Sequence, residues 1–222
     1  MIITIDGPAG AGKSSAARTL AHRLGFEFLD TGAMYRAVAL VALRAGINLR
    51  EEPALAALVE ALRLEMPPGG RVLLDGVDVT EQIRTSAVTA ATGAVADSPA
   101  VRRRLAQMQR DIAAGRNMVC EGRDQGTIVF PDAECKFFLF ADPLERACRR
   151  QREMEARGEP IGLEQLLREQ EIRDQRDAAR DLAPMKPADD AVLLDSTRLG
   201  PEQVVQAMEA QVQRRAGNEP QA

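Results

Sequence analysis

Hydrophobic positions fall into two patterns along the chain, short apolar runs and longer stretches in which apolar residues recur every three or four positions. The apolar runs predict core strands at Ile2 to Ile5, Phe26 to Leu29, Asn117 to Cys120, Lys136 to Phe140 and Ala191 to Leu194. The helical spacing predicts helices over Ser14 to Leu24, Ala33 to Ala45, Pro143 to Arg157 and Pro201 to Arg215. Strands that alternate with helices favour an α/β fold, here a five-stranded parallel sheet flanked by helices.

A stretch of roughly ninety residues separates the second predicted strand from the third, far more than a crossover needs. Leu55, Leu58, Val59 and Leu62 recur at helical spacing, and residues 71–79 alternate around Asp75-Gly76, which is typical of a hairpin. Two further helices are predicted near Glu81 to Ala96 and Pro99 to Ala114. We expect residues 36–114 to form an inserted substrate-side domain with its connecting helices.

A second excursion covers residues 151–182 and carries Gly158, Pro160 and Gly162 at its middle. This pattern predicts two helices joined by a flexible elbow, an arrangement suited to a lid. Residues 1–35, 115–150 and 183–216 are then expected to form the core, and residues 217–222 a disordered tail.

A glycine-rich loop stands between the first strand and the first helix. Gly7 and Gly12 bracket four residues, and Lys13 and Ser14 follow at once, which is the G-x-x-x-x-G-K-[ST] spacing of a P-loop. Glycines let the backbone curl round a phosphate, Lys13 adds a positive charge, and the helix offers its positive dipole end. The nucleotide-binding segment predicted here is Gly7, Pro8, Ala9, Gly10, Ala11, Gly12, Lys13, Ser14 and Ser15, with the Ser14 hydroxyl placed for Mg²⁺.

Composition narrows the class of protein. The 29 basic and 33 acidic residues give a net charge of −4, and the chain has no Trp and one Tyr, which argues against a dedicated nucleic-acid binder. Three cysteines without a C-x-x-C pair and one histidine fit neither a disulfide framework nor a zinc site. The sequence has no apolar run long enough to span a membrane and no signal peptide pattern, so we expect a cytoplasmic protein without a membrane partner.

Only small-molecule kinases remain among the P-loop classes considered. A GTPase would carry [NT]-K-x-D and D-x-x-G motifs in usable places, and a transporter-type ATPase an L-S-G-G-Q-like signature, and the sequence shows neither. Phosphoryl transfer needs cations near the transferred group, and ligands of open α/β sheets bind at the carboxyl ends of the strands. Polar residues follow two predicted strands there or share the predicted lid: Thr31, Arg36, Arg123, Asp124, Arg173, Arg176, Asp177 and Arg180. The last four are expected on one helix face.

From Ile3 to about Val205 the chain resembles the bacterial cytidylate kinase family. The shared motifs are I-D-G-P-A-G-A-G-K-S-S, L-D-T-G-A-M-Y-R-A-V-A, D-G-V-D-V-T-E-Q-I-R-T, V-C-E-G-R-D-Q-G-T-I-V-F-P-D-A, I-R-D-Q-R-D-A-A-R and V-L-L-D-S-T. The hairpin motif and G-R-D-x-G-T-x-V-F-P-D are specific to this family. The resemblance implies transfer of the γ-phosphoryl group of ATP to CMP or dCMP, with Mg²⁺, by what we expect to be a monomer.

The resemblance also implies residue roles. Arg36, Arg123 and Arg180 would hold the acceptor phosphate and, with Lys13, act in catalysis. Asp177 would meet the sugar hydroxyls, Arg102 and Asp124 would read cytosine, and Thr31 would lie near the bound nucleotide. The lid or ATP-side arginines are to be sought among Arg146, Arg149, Arg150 and Arg157.

One position departs from the family pattern. Some relatives place a hydroxyl residue against the base where this chain has Gly93, next to Thr92. Either Thr92 replaces that contact or Arg102 carries the readout alone, with weaker discrimination between CMP and UMP.

Two rival hypotheses stay open on the residues alone. One is another nucleoside monophosphate kinase, such as an adenylate or uridylate kinase, although the D-x-P-R motif expected of adenylate kinases is not found. The other is a binding module that uses ATP as a switch, which would need no acceptor site.

Overall fold

A computed structural model describes residues 1–156 and 158–217, which form two compact units. The first contains Met1–Phe26 and the described chain from Asn117 onward, and the second contains Glu27–Arg116. Arg157, one of the candidate lid arginines, lies outside the described residues.

The main sheet has five strands in the order β2-β6-β1-β7-β8. Their bounds are β1 Ile2–Asp6, β2 Glu27–Asp30, β6 Met118–Glu121, β7 Cys135–Phe140 and β8 Val192–Asp195. Strand β1 pairs in parallel with β6 and β7, and β7 pairs in parallel with β8. The predicted α/β sheet is confirmed, with each strand within one or two residues of its predicted bounds.

Strand β1 lies inside the sheet, which explains its near-continuous apolar sequence. Ile3 and Ile5 are fully buried, as parallel strands covered on both faces usually are. Helix α1 (Lys13–Leu24) follows and buries Ala16, Ala17 and Leu20. It ends at Gly25, whose left-handed backbone lets the amide of Phe26 donate to the carbonyl of Ala21. The loop that joins β1 to α1 therefore lies between a buried strand and a helix with a buried face.

Three more helices belong to the first unit: α6 Pro143–Ala156, α7 Leu163–Ala178 and α8 Pro201–Gly217. The two helices predicted in and before the lid segment are thus present, on either side of Gly158, Pro160 and Gly162. The tail predicted from Gly217 does not begin there, because Gly217 is the last residue of α8. Buried Val205, Met208 and Val212 anchor that helix at helical spacing. Residues 218–222 lie outside the described residues.

The second unit joins helices to a small antiparallel sheet. Its elements after β2 are α2 Thr31–Arg44, α3 Glu52–Ala61, β3 Leu64–Glu65, β4 Leu73–Leu74, β5 Val77–Asp78, α4 Ser86–Asp97 and α5 Pro99–Ala113. Asp75 and Gly76 both have positive φ, 49° and 78°, as the predicted hairpin turn between β4 and β5 requires. The helix expected from Glu81 instead divides into a 3-10 turn at Gln82–Arg84 and α4.

None of the described helices combines the length and the apolar character that a bilayer crossing requires.

Candidate active site

The glycine-rich loop adopts the backbone geometry that its glycines allow. Gly7 has a φ of 137°, and a Cβ there would lie 2.0 Å from the carbonyl oxygen of Leu139 on β7. Gly12, the N-cap of α1, has a left-handed φ of 91°. Any other residue would be strained at both positions. The loop therefore presents its backbone at the N-terminus of α1, where amide groups and the helix dipole favour an anion.

Lys13 is buried and points back into its own loop. Its Nζ donates a hydrogen bond to the carbonyl oxygen of Pro8 at 2.7 Å. Its pKa is lowered to about 7, chiefly by burial and secondly by the charge of nearby Arg123, whereas Glu121 opposes the shift. An anion bound in the loop would supply the negative charge that favours the ammonium form.

Asp6, to which the sequence analysis assigned no role, is a buried carboxylate at the end of β1. Its Oδ1 accepts a hydrogen bond from the amide of Gln125 at 2.9 Å, and its Oδ2 accepts one from the amide of Gly126 at 2.8 Å. Burial raises its pKa to about 7, the two amide hydrogen bonds oppose that shift, Asp124 adds to it, and Lys13 also opposes it. The only signal in the sequence was its place in the I-D-G-P motif.

The structure brings together three of the predicted acceptor residues in the first unit. Arg123 donates from Nε to Oδ2 of Asp177 at 3.2 Å, and Arg180 donates from Nη2 to Oδ1 of the same carboxylate. Asp177 is only 4 % exposed, so these bonds form in a largely dry environment, where they are strong. One buried carboxylate therefore holds two guanidinium groups near each other, with a net positive charge.

Arg180 lies beyond the end of α7, so the expectation that it shares a helix face with Arg173 and Asp177 is wrong. The helix ends at Ala178, and Arg180 reaches back to Asp177 from the following turn. Asp124 is buried next to Arg123 and precedes a π-helical turn, Gln125–Val129, in which its carbonyl accepts the amide of Ile128.

The candidate lid arginines differ in their contacts. Arg146 is buried, donates to the carbonyl oxygen of Ala9 in the loop at 3.0 Å, and pairs with Asp174 of α7 at 2.6 Å. Arg149 donates to the hydroxyl and the carbonyl of Ser196 at 3.1 and 2.6 Å. Ser196, another residue without a predicted role, in turn donates toward the carbonyl of Ala11 in the loop. Arg150 forms a more exposed pair with Glu153.

In the second unit, Asp30 orients the predicted phosphate ligand Arg36. The Asp30 carboxylate accepts the amide of Ala33 at 2.8 Å, which caps α2, and also the Nη2 of Arg36 at 2.9 Å. A Cβ at Gly32 would lie 3.2 Å from both Nη1 of Arg36 and Oδ1 of Asp30, so glycine leaves room for this pair. Thr31, the first residue of α2, follows Asp30 directly and is buried.

Arg102, the predicted cytosine reader, is buried on α5 in the same unit. Its Nη1 donates to the carbonyl of Ala96 at 3.0 Å, and its guanidinium carbon lies 5.7 Å from the centroid of the Tyr35 ring, a cation–π contact. On α4, Thr92 donates its hydroxyl proton to the carbonyl of Val88 at 2.7 Å. That contact leaves Thr92 with acceptor capacity only, and Gly93 has no side chain to add.

A magnesium site built from protein carboxylates alone is not present within residues 1–156 and 158–217, where no group of three or more His, Cys, Asp and Glu side chains could hold a metal ion. The exposed hydroxyl of Ser14, in the first turn of α1, fits the chemistry of Mg²⁺ that is bound mainly by nucleotide phosphates and water.

Comparison with known proteins shows which family this chain resembles. The cytidylate kinase family model matches residues 3–214. The chain is 50 % identical over 214 residues to a cytidylate kinase of Pelotomaculum thermopropionicum, covering 95 % of each chain. It is 48 % identical over 204 residues to a cytidylate kinase of Rhodopirellula baltica, covering 92 % of this chain and 89 % of that one.

Among solved structures, an uncharacterized protein from Eubacterium ventriosum shares the fold at a TM-score of 0.52 and 13 % identity, with 98 % of this chain and 99 % of that chain covered. The family match spans both units and includes the phosphate loop, the arginine cluster and the hairpin. The chain belongs to the cytidylate kinase family.

Proposed function

We propose that this protein transfers the γ-phosphoryl group of ATP to the phosphate of CMP or dCMP, which gives CDP or dCDP and ADP. The observation that carries the proposal is the phosphate loop with its buried Lys13 in the same unit as the arginine cluster on Asp177. A switch module that binds ATP alone would have no use for that second cluster of cations.

On the donor side, the backbone of Gly7 to Ser15 holds the ATP phosphates. Lys13 gives up its hydrogen bond to Pro8 and neutralises negative charge on the β- and γ-phosphates. The Ser14 hydroxyl is the protein ligand for Mg²⁺, which supplies neutralisation of phosphate charge when it is bound. Arg146 keeps the loop in place through the carbonyl of Ala9.

On the acceptor side, Arg123, Arg180 and Arg36 bind the CMP phosphate. An oxygen of that phosphate attacks the γ-phosphorus while the bond from the γ-phosphorus to the β–γ bridging oxygen breaks. Both reactants are anionic, so their approach is opposed by repulsion that one cation cannot offset. Guanidinium groups suit this task because each can donate two parallel hydrogen bonds to phosphate.

Recognition of the nucleoside is assigned to four further groups. Arg102 and Asp124 read cytosine, since its O2 and N3 accept hydrogen bonds and its N4 amino group donates. Asp177 meets the sugar hydroxyls in addition to holding its arginines, and Thr31 lies near the bound nucleotide. The segment at residues 151–182 closes over ATP as a lid. The protein acts as a cytoplasmic monomer with no nucleic-acid partner.

UMP is a second candidate acceptor, favoured by a specific observation. Gly93 offers no hydroxyl to the base, and the hydroxyl proton of Thr92 is directed to the carbonyl of Val88. The readout of N3 then depends on Arg102 as a donor and that of N4 on Asp124 as an acceptor, and uracil differs from cytosine only at positions 3 and 4 of the ring.

A coupled assay of ADP release with AMP, UMP, CMP and dCMP tests the proposal. We expect CMP and dCMP to be the best acceptors, with UMP slower. Equal kcat/KM for UMP and CMP contradicts the cytosine reading, and a preference for AMP contradicts the acceptor assignment. Absence of turnover with all four, while ATP still binds, favours the switch module.

A further inference from the structure

Asp6 connects two loops that the proposed reaction needs in a fixed relation. Both of its carboxylate oxygens are occupied by consecutive backbone amides, those of Gln125 and Gly126, at 2.9 and 2.8 Å. The side chain is 4 % exposed, so water does not compete for these bonds. A buried carboxylate that accepts two amides is a rigid link, and losing either bond leaves an unpaired polar group.

The link begins where the strand pairing ends. Strands β1 and β6 are paired up to Ile5 and Glu121, and the amide of Gly122 still donates to the carbonyl of Ile5 at 3.0 Å. Beyond that point the hydrogen bonds of the Asp6 carboxylate continue the contact between these two chain segments, past the last paired residues of the strands.

The residues on each side of the link are those assigned to the two substrates. Asp6 is followed directly by Gly7, the first residue of the phosphate loop. Gln125 is preceded directly by Arg123 and Asp124, assigned to the acceptor phosphate and to cytosine. A substitution at Asp6 that releases the amide of Gln125 can therefore displace Arg123 and Asp124, although Asp6 itself is assigned to neither substrate.

We propose that Asp6 is a positioning residue that fixes the Arg123–Asp124 segment against the start of the phosphate loop, so that acceptor and donor are held in line. The inference rests on the proposed function, because it assigns the two loops to CMP and ATP. In-line transfer is sensitive to displacements of about 1 Å, which makes such a link important for rate.

Charged and titratable groups surround Asp6 on every side of the link. Lys13 faces it from α1, Asp124 from the segment before the turn, and Cys120 from β6, where burial raises the pKa of the thiol and the Asp6 charge adds to the shift. Glu121, Arg123 and Arg173 act in turn on Lys13. The Asp6→Asn variant changes a charge in this network, so the test needs a second variant that moves the same segment without changing any charge.

The first variant is Asp6→Asn, which keeps the size of the side chain but turns an NH2 group toward one of the two amides. We expect the KM for CMP to rise by about tenfold to a hundredfold and kcat to fall, because a buried hydrogen bond is lost on the acceptor side. The KM for ATP should stay within about twofold of the wild type. Asp111→Asn, the same chemical change at an exposed residue of α5 whose carboxylate accepts a hydrogen bond from Gln107, is the matched control and should leave all three constants unchanged.

The second variant is Gly126→Ala. Its new Cβ would lie 2.9 Å from the Thr4 hydroxyl oxygen on β1 and 3.2 Å from Cδ of Lys136 on β7, which pushes the turn away from these strands with Asp6 intact. The same selective rise in the KM for CMP is expected. Adding Thr4→Ala to Gly126→Ala removes the shortest of these contacts and should restore part of the loss, while the contact with Lys136 remains.

Unchanged kinetics in Asp6→Asn and Gly126→Ala, with or without a lower Tm, would overturn the inference, since Asp6 would then serve folding alone. A larger rise in the KM for ATP than for CMP overturns it as well. If the wild type phosphorylates no nucleoside monophosphate, the proposed function fails, and amide exchange judges the link separately. Faster exchange at Gln125 and Gly126 in Asp6→Asn, relative to core amides, supports the link, and equal exchange rejects it.

Discussion

Asp177 shows how one side chain can organise the charge of a site. Two guanidinium groups that are held close together repel each other, and a shared carboxylate offsets that repulsion. Its oxygens hold Arg123 and Arg180, and all three side chains are less than one fifth exposed. The cluster is therefore preorganised, which reduces the entropy that substrate binding must overcome.

Arg180→Ala tests the arginine cluster. We expect kcat/KM for CMP to fall by about 10²- to 10³-fold, because a cation that stabilises charge in the transition state is removed. The affinity for ATP, measured by calorimetry, should change far less. Arg168→Ala, an exposed arginine of α7, is the control and should keep wild-type kinetics. Wild-type kinetics in Arg180→Ala would remove this residue from the acceptor site.

Gly93→Ser tests the position that departs from the family pattern. A hydroxyl at this point of α4 can contact the base, so the ratio of kcat/KM for CMP over UMP should rise about two- to tenfold, the worth of one hydrogen bond. Gly93→Ala adds a methyl group without the hydroxyl and is the control. An equal ratio in Gly93→Ser and Gly93→Ala would show that this position does not read the base.

The raised pKa of Asp6 predicts how stability depends on pH. In the folded protein the carboxyl keeps its proton up to about pH 7, whereas its ordinary pKa is 3.8. Between these values the native state holds more protons than the unfolded chain, so this group's contribution to the free energy of unfolding falls as the pH rises. Urea denaturation of the wild type and Asp6→Asn from pH 5 to 8 isolates the effect. As the pH rises, the free energy of unfolding of the wild type should fall relative to that of Asp6→Asn. A difference that is independent of pH would contradict the assignment.

The sequence predicts a phosphate loop because the signals for it are local, with all of them between Gly7 and Ser15, and the backbone at Gly7 and Gly12 has the conformation that such a loop needs. The roles of Asp6 and Ser196 were not reachable, since their partners lie far away in the chain. Asp6 meets Gln125, and Ser196 meets Ala11. No spacing rule connects positions more than a hundred residues apart, and only the parallel pairing of the strands brings them together.

At the scale of elements, α6 and α7 are attached to the phosphate loop through Arg146. This arginine donates to the carbonyls of Ala9 and Ala141 and pairs with Asp174, so one guanidinium joins the loop, the end of β7 and α7. A buried pair with several hydrogen bonds is costly to break from one side. A displacement of α7 would therefore be transmitted to the loop through Arg146.

Asp174→Asn tests that coupling. The amide cannot replace the charge partner of buried Arg146, so we expect the KM for ATP to rise by about three- to tenfold, with a smaller change for CMP. The control is Glu171→Gln on the exposed side of the same helix. A rise confined to the KM for CMP would assign Asp174 to the acceptor side instead.

Periodicity predicted these elements well and their ends less well. The five strands and the helices of the first unit were found from apolar spacing, but α7 ends before Arg180, and the segment from Glu81 divides in two. The order β2-β6-β1-β7-β8 was not predicted, because strand order depends on packing of the covering helices and not on the pattern within any strand.

At the scale of the whole molecule, the residues assigned to CMP are divided between the two units. Arg123, Asp124, Asp177 and Arg180 belong to the first, and Thr31, Arg36 and Arg102 belong to the second. The division matters because a ligand that contacts both units links their stabilities, whereas a ligand of one unit stabilises that unit alone. The distribution of protection on binding therefore reports which units a substrate engages.

Hydrogen exchange measured by mass spectrometry can show which unit each substrate protects. A non-hydrolysable ATP analogue should slow exchange in residues 7–24 and 141–156 of the first unit. CMP should slow exchange in residues 121–129 and 173–185 of the first unit and also in residues 30–38 and 96–105 of the second, because Arg36 and Arg102 are expected to bind it. Arg36→Ala should reduce the CMP effect in both sets while leaving that of the ATP analogue intact. Protection by CMP confined to one unit would show that the arginines of the other do not bind this substrate, and the acceptor site would then have to be built from one unit alone.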